Sequence, residues 1–223
     1  MQDQKLIETI KNHVQEAFKN DSTGHDWFHV KRVYDMSCYL HSVEGGNRTV
    51  IELASLLHDI SDHKLNGGKL NIGGQVGYEL LRKHGCSKNI ACKVKDIIDA
   101  VSFKGAKVKD KPTSWEAKIV QDADRLDAIG AIGIARAFAY GGNKNRPIFD
   151  PNIKPTCHKS FEQYANDKSH TINHFHEKLL LLKDRLHTDT AIKIGKERHD
   201  LMVSFLNQFD KEWFSYQKDL KET

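Results

Sequence analysis

One segment of the chain joins a run of apolar residues to a histidine and an aspartate: Ile51-Glu52-Leu53-Ala54-Ser55-Leu56-Leu57-His58-Asp59. The apolar run predicts a buried helix, and His58 and Asp59 stand at its end. Neighbouring side chains on a regular helix point about 100° apart, so both can face one ion only where the helix ends. The residues that follow, Ile60-Ser61-Asp62, are typical of a loop. The segment therefore predicts a helix end that presents two potential metal ligands.

Two residues elsewhere in the chain complete a candidate metal site, His29 upstream and Asp124 downstream. Two imidazoles and two carboxylates from separate segments suit one divalent ion held by nitrogen and oxygen ligands. Such an ion makes hydroxide available at neutral pH and polarises a phosphoryl oxygen. The residues alone leave the downstream aspartate open. Asp124 and Asp127 share a helical face, whereas Asp122 points away from Asp124.

The order of these residues resembles the H…HD…D signature of the HD-domain phosphohydrolase superfamily. The flanking sequences strengthen the resemblance: GHDWFHVKRV at 24–33, LLHDI at 56–60 and QDADRLDA at 121–128. Together they resemble the stand-alone bacterial HD phosphohydrolases, from the first helix to the C-terminus. The resemblance implies a metal-dependent phosphohydrolase and assigns the last metal ligand to Asp124. It leaves Asp127 as a residue that supports the ligands and Asp122 as a helix-terminal carboxylate.

The predicted cofactor is one divalent metal ion bound by four residues: His29, His58, Asp59 and Asp124. Their ligand atoms suit Mn²⁺, Fe²⁺, Co²⁺, Ni²⁺ or Zn²⁺, and Mg²⁺ less naturally because of the imidazoles. Manganese is the working choice. A second ion is not expected, since His63 and His84 lack the flanks of a two-metal pattern. For His170 and His174 we expect a substrate-pocket or surface role.

Two residues near this site are candidates for proton transfer. Asp62 is placed to accept a proton from attacking water or to orient a ligand imidazole. His25, four residues before His29, is placed to contact substrate or metal-bound water. The alternatives are a solvated loop aspartate for Asp62 and a helix-capping pair for His25 and Asp26.

Basic residues around the site are expected to contact phosphate oxygens, whose charge must be offset. Four are candidates: Lys31, Arg32, Lys64 and Lys104. Arg32 lies one turn beyond His29 on the same helical face, and Lys104 precedes Gly105, which allows a sharp turn. For each of the four, a solvated surface charge is the alternative.

Apolar residues recur at helical spacing along nearly the whole chain, which predicts an all-α fold of about eight or nine helices. Thr113 and Glu116 predict a capping box that opens the helix carrying Asp124. We expect one late helix across 172–186 and a final helix across 194–213, with its aromatic residues in the core. A second His-Asp pair, His199-Asp200, then lies on the surface of this final helix.

The whole of 1–223 is interpreted as a single HD domain, with the metal-site core at about 20–140 and a C-terminal helical extension. The longest apolar stretches fall short of the roughly 18 residues of a membrane span. The first residues lack a signal-peptide core, so we expect a cytoplasmic protein. The cysteines, at positions 38, 86, 92 and 157, form no CxxC motif and are expected to be reduced thiols.

The formal net charge of +4 suits an anionic substrate and is too small to indicate nucleic-acid binding. We therefore predict a phosphohydrolase acting on nucleotides. Release of pyrophosphate from (deoxy)nucleoside triphosphates is the first candidate reaction. A nucleotidase or phosphomonoesterase, and a non-catalytic nucleotide-binding HD protein, are the alternatives. The base, the sugar and the oligomeric state are left open.

Overall fold

The structure is a computed structural model that describes residues 2–19, 26–60, 73–101, 112–156 and 169–219. These ranges contain helices and no strand, which confirms the predicted all-α fold. In chain order the helices are α1 (Gln2–Ala17), α2 (Trp27–Glu44), α3 (Arg48–Leu57), α4 (Gly73–Lys83), α5 (Lys88–Val101), α6 (Trp115–Asp127), α7 (Gly130–Asn143), α8 (Thr171–Glu177) and α9 (Asp189–Asp219). A 3-10 helix, Leu179–Arg185, lies between α8 and α9.

Helix α3 forms the centre of the fold. The Asn47 side chain caps it by accepting a hydrogen bond from the Val50 amide. Every residue from Val50 to Leu57 is buried, and α3 packs against α1, α2, α5 and α6. A helix that is buried on all sides needs neighbours all around it. Its C-terminal end, where His58 follows, is therefore held inside the bundle.

The start of α6 differs from the predicted capping box by one residue. Ser114, not Thr113, is the N-cap, and its hydroxyl accepts a hydrogen bond from the Ala117 amide. The Glu116 carboxylate accepts a hydrogen bond from the backbone amide of Asn47, at the start of α3. The prediction failed because the cap lies at Ser114, so the residue three positions later is Ala117, whose side chain cannot return a hydrogen bond.

The single late helix that we expected is two helices. Lys178 leaves the helical conformation after α8, and the chain continues as a 3-10 helix. Side chains three residues apart eclipse one another in a 3-10 helix. This places Leu179 and Leu182 on one buried face, at 4% and 1% exposure. The run of leucines can therefore bury its side chains with either helix type, and spacing alone did not separate the two.

The final helix is present and is longer than predicted. It packs against α7, α6, α2 and the 3-10 helix. Phe205 and Phe209 pack against the core, whereas Trp213 and Phe214 are 41% and 37% exposed. The core expectation thus holds for the first two aromatic residues only. None of the described helices combines the length and the apolar character that a membrane crossing needs.

Candidate metal centre

Three helices bring the four predicted metal ligands to one place. His29 lies in the first turn of α2, where the Asp26 side chain caps the helix by accepting from the His29 amide at 2.8 Å. His58 is the C-cap of α3, and Asp59 follows in the turn. Asp124 lies in the last turn of α6. The structure thus has a helix end at His58-Asp59, as predicted.

The potential ligand atoms of these residues lie close together. The two Nε2 atoms of His29 and His58 are 3.2 Å apart, and Asp59 Oδ2 lies 3.2 Å and 3.4 Å from them. Asp124 Oδ1 lies slightly further away, at 3.6 Å and 3.8 Å. Adjacent ligands of one transition metal, with bonds of about 2.1 Å, lie about 3.0 to 3.4 Å apart. The spacing of His29, His58 and Asp59 therefore suits three ligands of one ion, and Asp124 lies just outside this range.

The outer nitrogens of both imidazoles are held by acceptors. His58 Nδ1 lies 2.8 Å from the Ser55 carbonyl oxygen, and His29 Nδ1 lies 2.7 Å from Asp127 Oδ2. A carbonyl or carboxylate oxygen only accepts, so each Nδ1 carries the proton and donates it. In the neutral imidazoles the Nε2 lone pairs then face each other at 3.2 Å. Two lone pairs this close require a positive charge between them, either a proton or a metal ion, so the donor set fits a metal ion.

The electrostatics and the solvent exposure of the centre also fit a bound metal ion. Burial lowers the pKa of His29, but hydrogen bonds to Asp127 and Asp59 outweigh burial and raise this pKa to about 9. The surrounding carboxylates thus favour positive charge here. The two imidazoles are 1% exposed, whereas the side chains of Asp59 and Asp124 are 22% and 30% exposed. The centre is therefore open to solvent on its carboxylate side.

Asp127 contacts His29 on the side of the imidazole that faces away from the other potential ligands. Its carboxylate accepts from His29, from Arg32 Nε at 2.6 Å and Nη2 at 3.1 Å, and from Arg136 Nη1 at 2.7 Å. Burial raises the pKa of Asp127, but hydrogen bonds from His29 and Arg32 outweigh burial and hold it well below its usual range. We call Asp127, Arg32 and Arg136 the aspartate hub.

The three aspartates of α6 have three different surroundings. Asp122 is fully buried and accepts from the Thr188 amide at 2.8 Å, the Thr188 hydroxyl at 2.9 Å and the His187 amide at 2.9 Å, just before α9. Asp127 faces the hub. Asp124 is the one with an oxygen near both Nε2 atoms. The geometry agrees with the assignment that the resemblance implied, and metal binding by the four residues remains a prediction.

The residues expected to contact phosphate are in part engaged elsewhere. Arg32 donates to Asp127, and Lys31 donates to Asp35 on the exposed face of α2, at 2.5 Å. The remaining candidates, His25, Asp62, Lys64 and Lys104, lie outside the described residues, as does His63. Their roles stay predictions.

His170 has a structural role that the sequence did not indicate. Its Nδ1 accepts from the Asn173 amide and caps α8, while Nε2 lies 3.1 Å from the Ile153 carbonyl oxygen. His84 is exposed and lies beside the His13 ring. His199 is half-buried on α9 and Asp200 is exposed, so the surface prediction for that pair holds only in part.

Sequence reasoning missed Arg136. It lies on α7, whereas Asp127 ends α6, and helical spacing says nothing about contacts between two helices. A cleft of about 280 Å³ opens beside the hub. Arg32 and Asp127 form one part of its wall, and Met36, Tyr39, Ile132 and Arg198 line it further along.

Comparison with known proteins gives consistent matches. A family model described as "HD domain" matches residues 27–129. The YpgQ protein of Bacillus subtilis is 38% identical over 213 residues, covering 95% of this chain and 96% of YpgQ. Its crystal structure in complex with ADP has a TM-score of 0.75 at 36% identity, covering 95% of this chain and 97% of that one.

Two further solved structures match over nearly the full length. An HD-superfamily hydrolase from Bacillus thuringiensis has a TM-score of 0.73 at 40% identity, with 95% of this chain and 98% of that chain covered. A protein from Lactobacillus plantarum has a TM-score of 0.85 at 34% identity, with the same coverage of 95% and 98%.

Proposed function

The chain belongs to the HD superfamily, and on that premise we propose that it is a metal-dependent phosphohydrolase acting on nucleotides. Membership by itself supports a metal-dependent hydrolase in general. The observation that carries the finer proposal is the convergence of two buried imidazoles and two carboxylates, in which each carboxylate has an oxygen within 4 Å of both imidazole Nε2 atoms. The ligand set is His29, His58, Asp59 and Asp124, and the proposed ion is Mn²⁺.

The bound ion would lower the pKa of water and withdraw electrons from a phosphoryl oxygen. Asp59 and Asp124 carry two negative charges, which equal the charge of a divalent ion. In the hub, one negative charge on Asp127 faces two positive charges on Arg32 and Arg136. With a divalent ion bound, the ion and these five side chains together carry one positive charge in excess. That balance favours an anionic substrate.

The exposed carboxylate side gives substrate and water a way in. The imidazoles are covered on their outer side, where Ser55 and Asp127 hold them in orientation. A phosphate group therefore approaches past Asp59 and Asp124. We propose that Asp62 accepts the proton of the attacking water and that His25 contacts substrate, since both are adjacent in sequence to the ligand segments.

The nucleotide part of the proposal rests on a relative. YpgQ was crystallised with ADP, and it shares 36% to 38% identity with this chain over nearly its full length. Nucleoside triphosphates, with deoxynucleoside triphosphates first, are the proposed substrates. Cleavage that leaves a nucleoside monophosphate and pyrophosphate is the proposed reaction.

A substrate screen tests the proposal. Metal-free protein is reconstituted with Mn²⁺, Mg²⁺, Co²⁺, Ni²⁺, Fe²⁺ or Zn²⁺ and incubated with nucleoside mono-, di- and triphosphates. Phosphorus NMR separates pyrophosphate from orthophosphate, and His58→Ala is the negative control. Pyrophosphate from triphosphates supports the proposed reaction. Hydrolysis of monophosphates alone would make the protein a nucleotidase, and binding without turnover would make it a nucleotide-binding HD protein.

A further inference from the structure

The aspartate hub stands directly behind one of the two metal-facing imidazoles. His29 and Arg32 come from α2, Asp127 from α6 and Arg136 from α7, so three helices meet at one carboxylate. The Asp127 side chain is 6% exposed. A buried carboxylate of this kind is stabilised only when its oxygens are paired with donors. The contacts on both oxygens meet that requirement.

We propose that Asp127 is a positioning residue for the metal centre, which fixes the orientation and the tautomer of His29, and that Arg32 and Arg136 fix Asp127. The inference rests on the proposed metal site. Hydrogen-bonded partners on the far side of a metal-binding histidine commonly set its orientation and its basicity. Here the partner is a side chain with two supports of its own.

The donors reach both oxygens of the Asp127 carboxylate. Arg32 Nε holds Oδ1, while His29 Nδ1, Arg136 Nη1 and Arg32 Nη2 all approach Oδ2. A carboxylate bound at both oxygens cannot rotate without breaking a charge-assisted hydrogen bond. Guanidinium nitrogens only donate, and they reach both oxygens of Asp127, so this carboxylate faces His29 as an acceptor. The proton therefore stays on Nδ1 and the Nε2 lone pair faces the centre.

Among the described residues, the second imidazole is held by the backbone and not by such a set of side chains. His58 donates to the backbone carbonyl of Ser55, within the last turn of α3. That support follows from the helix itself and varies little with side-chain identity. The strength of metal binding at this centre can therefore be altered through the hub, on the His29 side, without replacing a ligand.

The test measures metal binding and not turnover. Metal-free full-length protein is titrated with Co²⁺ and Mn²⁺ against a fluorescent chelator, and the visible absorption of the Co²⁺ form is recorded. Asp127→Asn keeps the size of the side chain and removes its charge. We expect it to weaken metal binding about ten- to a hundred-fold and to change the Co²⁺ spectrum. Arg136→Gln leaves Arg32 in place, so we expect a smaller loss, about three- to ten-fold.

Asp122→Asn is the matched control, because Asp122 is a second buried carboxylate on the same helix and contacts the start of α9. It should lower thermal stability and leave Co²⁺ affinity and spectrum unchanged. Wild-type affinity and spectrum in Asp127→Asn would overturn the inference. If Asp127→Asn does not fold, wild-type behaviour of Arg136→Gln overturns it instead. Failure of the wild-type protein to bind either ion would be different, since it rejects the metal site on which the inference rests.

Discussion

Replacing Asp124 by asparagine separates metal binding from folding. The Asp124 oxygen lies 3.6 Å and 3.8 Å from the two imidazole Nε2 atoms, and the side chain is 30% exposed. The variant Asp124→Asn keeps an oxygen at this position and removes its charge. We expect it to lose stoichiometric metal and to turn over at least a hundred times more slowly, while the metal-free protein stays as stable as wild type.

The magnitude follows from the charges. Two unit charges 4 Å apart interact by about 4 kcal/mol at an effective dielectric constant near 20. A bound ion would lie closer to its ligand and carry two charges, whereas partial exposure of Asp124 screens the interaction. About 3 kcal/mol is therefore a lower bound for the loss, which corresponds to two orders of magnitude in binding or rate. Folding should change by less than about 0.5 kcal/mol, as for a partly exposed substitution.

Three measurements decide the outcome. Metal content is determined by elemental analysis after reconstitution, turnover by product release, and the free energy of unfolding by urea titration in chelator. Asp122→Asn is the control, with the opposite pattern of full metal content and reduced stability. Full metal content and full turnover in Asp124→Asn would refute the reasoning and direct attention to Asp127.

Other perturbations test the structure around the centre and basic residues that lie outside the described ranges. Burial raises the pKa of Asp122 from 3.8 to about 6, so the stability that its protonated form contributes is present below pH 3.8 and lost as the pH rises through 6. Relative to Asp122→Asn, the free energy of unfolding of the wild-type protein, measured in urea, should fall by up to about 3 kcal/mol between pH 4 and pH 7. A difference between the two proteins that does not change with pH would contradict this. Gly130 has φ of 75°, and an added Cβ would meet the Arg198 side chain at 2.9 Å. Gly130→Ala should therefore destabilise the protein by at least about 1–2 kcal/mol, whereas Gly142→Ala, with open space around it, should not. Lys104→Ala should lower kcat/KM about ten- to a hundred-fold while metal content stays full. Equal, small effects of Lys104→Ala and Lys109→Ala would contradict a phosphate-binding role for Lys104.

The sequence was most informative where the chemistry of a side chain and its place on a helix agreed. The apolar run before His58 predicted both the buried helix and its end, and the structure has both. Helical spacing placed Asp122 away from the face that Asp124 and Asp127 share, but the choice of Asp124 rested on the resemblance. In the structure the contacts of the three aspartates differ. Asp122 accepts from Thr188, Asp127 accepts from Arg136, and Asp124 lies near both imidazole Nε2 atoms.

The errors fall where contacts between helices decide the outcome. Ser114 caps α6, and Glu116 contacts the start of α3, so the expected capping box did not form. The late helix changes to a 3-10 helix at Lys178. The spacing of its leucines could not predict this, because they can be buried with either helix type. Arg136 carried no signal in the sequence, since its partner lies on another helix. Local patterns therefore predicted most of the helices and the candidate ligands, whereas the side chains that support those ligands are set by tertiary packing.

The support of the metal centre depends in turn on how α6 meets α7. Asp127 is the last residue of α6, Gly130 is the first residue of α7, and Arg136 lies two turns further along. Only a residue that tolerates positive φ permits this junction without strain, and the Arg198 side chain fills the space beside it. A shift of α7 would move Arg136 relative to Asp127 and loosen the contact that orients His29. If the proposed metal site is right, we therefore expect Gly130→Ala to weaken metal binding as well as folding, although Gly130 is not one of the proposed ligands.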